Sequence, residues 1–246
     1  MKKSFILCLV SLALLTACTK RSTPALTITT DTIRVDSTAD AIMDMQYMEH
    51  LSPIKTYIDE EMSIHYGWAG MDMLVDSFEC PMLNWAADVL LKEANRLYPG
   101  KVDIALLNRG GTRCSWMKGE LTRGHLFKMM PFENKMVVLK LKGQDILDLF
   151  TFLAQGDAQG IAGMRVKFVH KQLAEITIGG KPVDPEATYY MATNSYLAKG
   201  KDGMTALKAD KEPWDSQKLI RDIYIDAVCA QGTVYSAIDG RMTIEK

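Results

Sequence analysis

Apolar positions recur along most of this chain at helical or strand spacing, and their order predicts an alternation of the two. From Gln46 to Met62, apolar or aromatic residues fall at Tyr47, Met48, Leu51, Ile54, Tyr57, Ile58 and Met62, the spacing of an amphipathic helix. Pro81 to Leu97 repeats it more cleanly with Leu83, Ala86, Ala87, Leu90, Leu91 and Ala94, and Pro81 suits a first helical turn. Pro99-Gly100 stops that helix, and Lys101 to Leu107 reads as a buried strand. Gly119 to Met130 predicts a short helix with Leu121, Leu126 and Phe127 inward. Lys135 to Lys142 is a strand with strong β character, and Ile146 to Leu153 a helix. Gly156 to Gly163 reads as a glycine- and alanine-rich loop. Arg165 to His170 and Ala174 to Ile178 read as two short strands or a hairpin arm, closed by Gly179-Gly180. Tyr189 to Thr193 is a further strand, Ser216 to Ala230 a last helix, and Arg241 to Ile244 a final strand. Trp68 to Asp76 carries neither period, and no internal repeat is visible. Helices and strands so interleaved predict one α+β (mixed α/β) domain.

The N-terminus stands apart from this pattern. Met1-Lys2-Lys3 is basic, and Phe5 to Leu15 is an apolar run too short for a comfortable membrane span. It ends in Leu15-Thr16-Ala17-Cys18, which resembles a bacterial lipoprotein signal: residues 1–17 would be removed and Cys18 would carry the lipid. Residues 18–42, rich in Thr, Ser and Asp, then form the lipidated cysteine and a flexible tether, and 43–246 the folded domain. Such a chain is anchored to a membrane by acyl chains without spanning it, on the periplasmic or surface side of the cell envelope.

Composition narrows the partners. The chain is 48% hydrophobic and 24% charged with net charge -1, an ordinary globular balance without the basic excess that nucleic acid requires. Of five cysteines, Cys80, Cys114 and Cys229 remain beyond the signal and lipid positions. Three is an odd number, so at least one thiol stays free or pairs outside the chain, and no Cys-x-x-Cys pair suggests zinc.

Candidate chemistry concentrates in three loops at strand ends. Asn108-Arg109-Gly110-Gly111-Thr112-Arg113 combines a paired glycine with guanidinium groups suited to phosphate or carboxylate. Met130-Pro131-Phe132-Glu133-Asn134 sets an aromatic face beside an amide. Thr193 to Gly203 carries Tyr196, Lys201 and Asp202 between glycines. With Ala162-Gly163-Met164-Arg165, these segments resemble the C-terminal substrate-binding domain of the 5′-nucleotidase / UDP-sugar hydrolase family. That family has an Asn-x-Gly-Gly-Ile-Arg turn, a Leu-Pro-Phe-Gly-Asn turn, a Ser-Gly-x-Arg element and an Ala-Thr-Asn-x-Phe-Leu-Ala-x-Gly-Gly-Asp-Gly run. The likeness extends from about Leu51 to Ile244 in consistent order.

The resemblance implies a four-layer α/β/β/α domain with mixed sheets that binds a nucleotide or nucleoside while another domain holds the metals. It implies that Phe132 and Tyr196 sandwich the base, Asn134 contacts it, and Asp202 holds the ribose hydroxyls. Arg113 then lies near ribose and phosphate, Asn108 belongs to the same turn, and the Gly163 backbone lines the base pocket. This chain departs from the pattern at Arg109, Thr112, Glu133, Tyr196 and Lys201. An arginine expected shortly before Glu79-Cys80 is replaced by Asp76-Ser77-Phe78.

The family's catalytic half is a metallophosphoesterase with Asp, His and Asn ligands around two metals. Here His50, His65, His125 and His170 stand at no metal-ligand spacing. We therefore expect no catalytic residue, no metal site and no cofactor in this chain. The divalent metals and hydrolysis are expected from a separate metallophosphoesterase, with this chain as the binding half in nucleotide catabolism. Two other readings stand beside it: a complete hydrolase on its own, and a surface scaffold that kept the fold and lost the ligand.

Overall fold

A computed structural model describes residues 28–32, 45–156, 158–210 and 212–245. The expected signal segment, Cys18 and most of the tether lie outside the described residues. The chain divides into two compact units, Met1–Leu51 and Ser52–Lys246, and the second holds everything that follows.

The predicted first helix is present as α1 (Met45–Met62). Its apolar residues beyond Ser52 are not covered: Ile54, Tyr57 and Ile58 are all exposed. Strand β1 (His65–Ala69) follows, then α2 (Pro81–Leu97) and β2 (Ile104–Asn108). The predicted helix Gly119–Met130 is divided instead into β3 (Gly119–Thr122) and α3 (Arg123–Met129). The reason is tertiary: β3 pairs with β1, so its backbone groups are satisfied across the sheet rather than within a helix. At the division, His125 accepts the Thr122 backbone N–H at 3.0 Å and caps α3.

Strand β4 (Lys135–Lys142) and helix α4 (Gly143–Leu153) form as expected. The expected loop 156–163 contains strand β5 (Gln159–Ala162), antiparallel to β2. Its composition hides it. Gly160 is there because a Cβ would stand 3.0 Å from the Leu83 carbonyl of α2, so close helix–strand packing admits no side chain. Strands β6 (Met164–Val169) and β7 (Gln172–Ile178) make the hairpin, β8 (Lys181–Pro182) extends it, and β9 (Thr188–Asn194) is central. The expected helix Ser216–Ala230 begins later: β10 (Trp214–Leu219) pairs with β4 through an irregular register in which Gln217 has φ +62°, and α5 (Ile220–Gln231) follows. Two short strands, β11 (Thr233–Val234) and β12 (Met242–Glu245), complete the order.

Three sheets result, with orders β11-β1-β3, β10-β4-β9-β2-β5 and β12-β6-β7-β8. The five-stranded sheet is mixed: β2 runs parallel to β9, while β4, β5 and β10 run antiparallel to their neighbours. Side chains of β2 alternate strictly between its two faces. Ala105 and Leu107 join a core with α2, α5 and the three-stranded sheet, centred on Trp85 with Trp116 at 5.2 Å and Tyr224 at 5.3 Å. Ile104 and Leu106 join a second core with α4 and the four-stranded sheet, around Phe150 and Phe168. A strand buried on both faces needs this run of unbroken apolar residues. The domain is mixed α/β with mixed sheets, its layers ordered as helices, central sheet, and then the second sheet with α4 sharing one core. The three domain cysteines are free thiols: Cys80 is buried, Cys114 half-buried and Cys229 exposed. Among the described residues, no helix is long and apolar enough to cross a membrane.

Candidate functional site

Because β2 and β9 are parallel neighbours, Asn108 and Asn194 leave the sheet at the same end. The antiparallel pairing of β9 with β4 sets Asn194 opposite Met136, so the loop entering β4 arrives there too. Two contacts fasten this junction: Ser195 N–H donates to the Lys135 carbonyl at 2.9 Å, and the Ser195 hydroxyl accepts the Lys135 N–H at 3.2 Å. The three loops singled out in the sequence therefore converge at one sheet end. Carboxyl ends of adjacent parallel strands are a common place for a ligand cleft.

Asp202 sits at the centre. Its φ of +55° lies in the left-handed region, between Gly200 at +69° and Gly203 at +77°, and this curl turns the loop back toward β2. Asn108 Nδ2 donates to Asp202 Oδ2 at 2.8 Å, and the Tyr196 hydroxyl donates to Asp202 Oδ1 at 2.6 Å. That second bond raises the Tyr196 phenol above its ordinary pKa, because ionising it would place two negative charges together. Each carboxylate oxygen has a further lone pair, so two more donors can still be accepted. Asn134 is held through its backbone, its carbonyl accepting the Ile220 N–H at 2.9 Å.

The turn after β2 supplies the cations. Arg113 N–H donates to the Met129 carbonyl at 2.9 Å, which binds the turn to the end of α3. Its guanidinium lies 5.4 Å from the centre of the Phe132 ring, a cation–π distance. Arg109 donates to the carbonyls of Ser77 at 3.2 Å and Val75 at 3.0 Å. It thus occupies the loop where the resemblance leads one to expect an arginine and this chain has Asp76-Ser77-Phe78. A cleft of about 780 Å³ opens here, lined by Val75, Asn108, Arg109, Arg113, Phe152 and Asp202 among others. Phe132 and Tyr196 stand on the adjacent loops, each 38% exposed. Glu133 lines a neighbouring cleft of about 680 Å³ with Lys135, Ser195 and Lys199.

Of the residues nominated from sequence, Asn108, Arg113, Phe132, Asn134, Tyr196 and Asp202 come to this end of the sheet. Gly163 does not. It follows β5, whose pairing with β2 sets Ala162 opposite Ala105, at the far end of the strands. A glycine is required there for packing: with φ +75°, a Cβ would collide with the Asp103 carbonyl oxygen. Asn194 is the residue that sequence reading passed over. It is 2% exposed, and its amide joins Asn108 to the Leu197 backbone. A polar amide closing an apolar strand just before a tight turn was the available signal.

The residues present do not fit a two-metal centre. Among the described residues, no group of three or more His, Cys, Asp or Glu could hold an ion. His65 Nδ1 contacts Glu120 at 3.0 Å, His125 caps α3, and His170 lies in the β6–β7 turn with φ +47°.

A mixed α/β domain with converging loops at the carboxyl ends of parallel strands, carrying arginines, aromatic rings and an acceptor carboxylate, has the form of a small-molecule-binding domain. Its relatives make the class specific. Residues 70–209, more than half of the chain, match the family described as 5′-nucleotidase, C-terminal domain. A 5′-nucleotidase of Vibrio cholerae is 29% identical over 182 residues, 70% of this chain and 32% of that protein. Protein UshA of Escherichia coli is 35% identical over 116 residues, 45% of this chain and 21% of its own length. Among solved structures, a 5′-nucleotidase precursor from Thermus thermophilus superposes with a TM-score of 0.73 at 25% identity, over 82% of this chain and 44% of that one. The NAD nucleotidase of Haemophilus influenzae shares the fold, with a TM-score of 0.65 at 18% identity over 82% of this chain and 41% of that one. The chain belongs to the 5′-nucleotidase C-terminal domain family. It spans about a third or less of the length of these curated relatives.

Proposed function

We propose that this domain binds a nucleoside or nucleotide at the Asn108–Asp202–Tyr196 cluster and presents it for dephosphorylation by a metallophosphoesterase unit. The observation that carries the reading is Asp202. Two protein donors orient its carboxylate while a lone pair on each oxygen is left for vicinal hydroxyls of a ribose. Phe132 and Tyr196, exposed on adjoining loops, suit the faces of a base, and such stacking contributes about 1–3 kcal/mol per base in single-strand binders. Arg113 and the half-buried Arg109 line the same cleft and suit an anionic group attached to the sugar. The phosphoesterase unit supplies the metals and the attacking water; this chain supplies ligand position. Cys18, directly after the apolar run, is our proposed lipid anchor, which holds the domain at the cell envelope.

Calorimetry with adenosine, AMP and a UDP-sugar tests the reading. Binding that Phe132→Ala and Asp202→Ala each weaken about tenfold or more supports it. A protein that binds none of the three is a scaffold instead. Metal-dependent phosphate release from AMP by the isolated chain would favour a complete hydrolase.

A further inference from the structure

The polarity of the cluster is set by one backbone N–H. Leu197 N–H is a donor under all conditions, and it points at Asn194 Oδ1 at 2.7 Å. This leaves Asn194 only its Nδ2 to offer on the other side, and Nδ2 donates to Asn108 Oδ1 at 3.1 Å. Asn108, receiving at its oxygen, must then present its own Nδ2, which donates to Asp202 Oδ2 at 2.8 Å. The Tyr196 hydroxyl closes the chain on the other carboxylate oxygen at 2.6 Å. An amide by itself can face either way, since oxygen and nitrogen have the same shape. Reversal of Asn108 would aim a carbonyl at a carboxylate.

Asn194 is 2% exposed, sits where β9 ends and has no route to a ligand in the cleft except through Asn108. Thr193 beside it is fully buried and donates to the Leu106 carbonyl at 2.8 Å, which fixes the backbone from which Asn194 projects. We propose that Asn194 is a positioning residue that transmits the direction of the Leu197 N–H through Asn108 and so makes Asp202 an oriented acceptor for a vicinal diol. The inference rests on the nucleoside-binding reading for its ligand, but the hydrogen-bond relay itself does not.

Two measurements test it. The first is a double-mutant cycle in thermal unfolding between Asn194→Asp and Asp202→Asn, two sites joined only through Asn108. An aspartate at 194 still accepts the Leu197 N–H, but its second oxygen forces Asn108 to turn its NH₂ inward and its oxygen toward Asp202. Asparagine at 202 repairs this, because it donates to the reversed Asn108 and still accepts from Tyr196. The Tm loss from N194D is therefore expected to fall at least about twofold in the D202N background. Folding of the double variant where N194D alone does not fold is the same result in stronger form. Equal losses in both backgrounds overturn the relay, because a merely structural Asn194 acts additively.

The second measurement compares adenosine with 2′,3′-dideoxyadenosine. Wild type is expected to favour adenosine about tenfold or more, the worth of hydrogen bonds to a charged acceptor. In N194D, or in Asn194→Ser where the aspartate variant and its D202N partner both fail to fold, that ratio is expected to fall toward one with little change for the dideoxy ligand. A ratio unchanged in a folded variant overturns the proposal. Wild type that binds neither nucleoside removes the proposed function instead, and the thermal cycle then decides the relay alone.

Discussion

The two ends of the central sheet are built on opposite principles. At the end where β2 and β9 finish, side chains do the joining: Asn108, Asn194, Tyr196 and Asp202 form a directed chain of hydrogen bonds beside an open cleft. At the other end the decisive residues lack side chains. A Cβ on Gly143, opening α4, would collide with the Asp184 carbonyl oxygen, and one on Gly163 would meet that of Asp103. Arg241 staples the far end, donating to the Ile161 carbonyl at 3.0 Å and to Asp88 and Asp239. One end is arranged to accept something; the other is closed by backbone contact. Glycine in a motif therefore has two meanings, and only position in the sheet separates them.

The largest effect should come from the closed end. Gly143→Ala or Gly163→Ala should cost about 4 kcal/mol or more in denaturant unfolding, since backbone must move to admit the methyl group. Whatever remains folded should bind nucleoside as wild type does. An affinity loss at Gly163 without a stability loss would assign that glycine to the cleft.

Arg241→Ala follows, at about 2 kcal/mol, because two carbonyls lose their donor and two carboxylates their partner. Its hydrogen bond holds the Asp239 carboxyl below the usual carboxylate range. The bracket's contribution is thus complete above the ordinary carboxylate pKa and is lost as pH falls through the lowered value. Urea titrations at descending pH should show wild type and R241A converging; a constant gap would detach the bracket from Asp239.

At the open end the effects should appear in affinity. Asp202→Ala is expected to weaken adenosine about tenfold or more while changing stability by no more than about 1 kcal/mol, because its partners there can turn to water. A large stability loss instead would make the open end structural like the closed one.

The smallest effect lies outside both ends. The β6–β7 turn places His170 at φ +47° and Lys171 at φ +60°, a pair of left-handed residues that glycine would occupy without strain. Lys171→Gly should stabilise the domain by about 0.5–1 kcal/mol in thermal unfolding and leave ligand binding unchanged. A destabilised variant would show that the lysine side chain makes a contact worth more than the strain.

Much of this was legible in the chain. The apolar run Ile104–Leu107, the helix Pro81–Leu97 and the strand Lys135–Lys142 stand where their periods placed them. The ligand loops were legible too, because Asn108, Phe132 and Asp202 lie in runs whose residue types have little other reason to stand together. What failed was local pattern where a partner overruled it. Gly119–Thr122 reads as helix and pairs with β1; Gln159–Ala162 reads as loop and pairs with β2. The α1 residues Ile54, Tyr57 and Ile58 have the spacing of a buried face and are exposed. Periodicity determines that a helix forms and says nothing of what covers it.

By itself the sequence determined the class of elements, the apolar sets of both cores and the residue types able to hold a base, a diol and an anion. These depend on contacts within a few residues, where spacing and side-chain chemistry suffice. Tertiary structure decided that Asn194 joins the cluster, that Gly163 does not, and that Arg109 occupies the loop at Val75–Ser77. Those outcomes depend on the parallel register of β2 with β9 and the antiparallel register of β5 with β2, fixed by burial of whole strands on both faces rather than by any local run of residues.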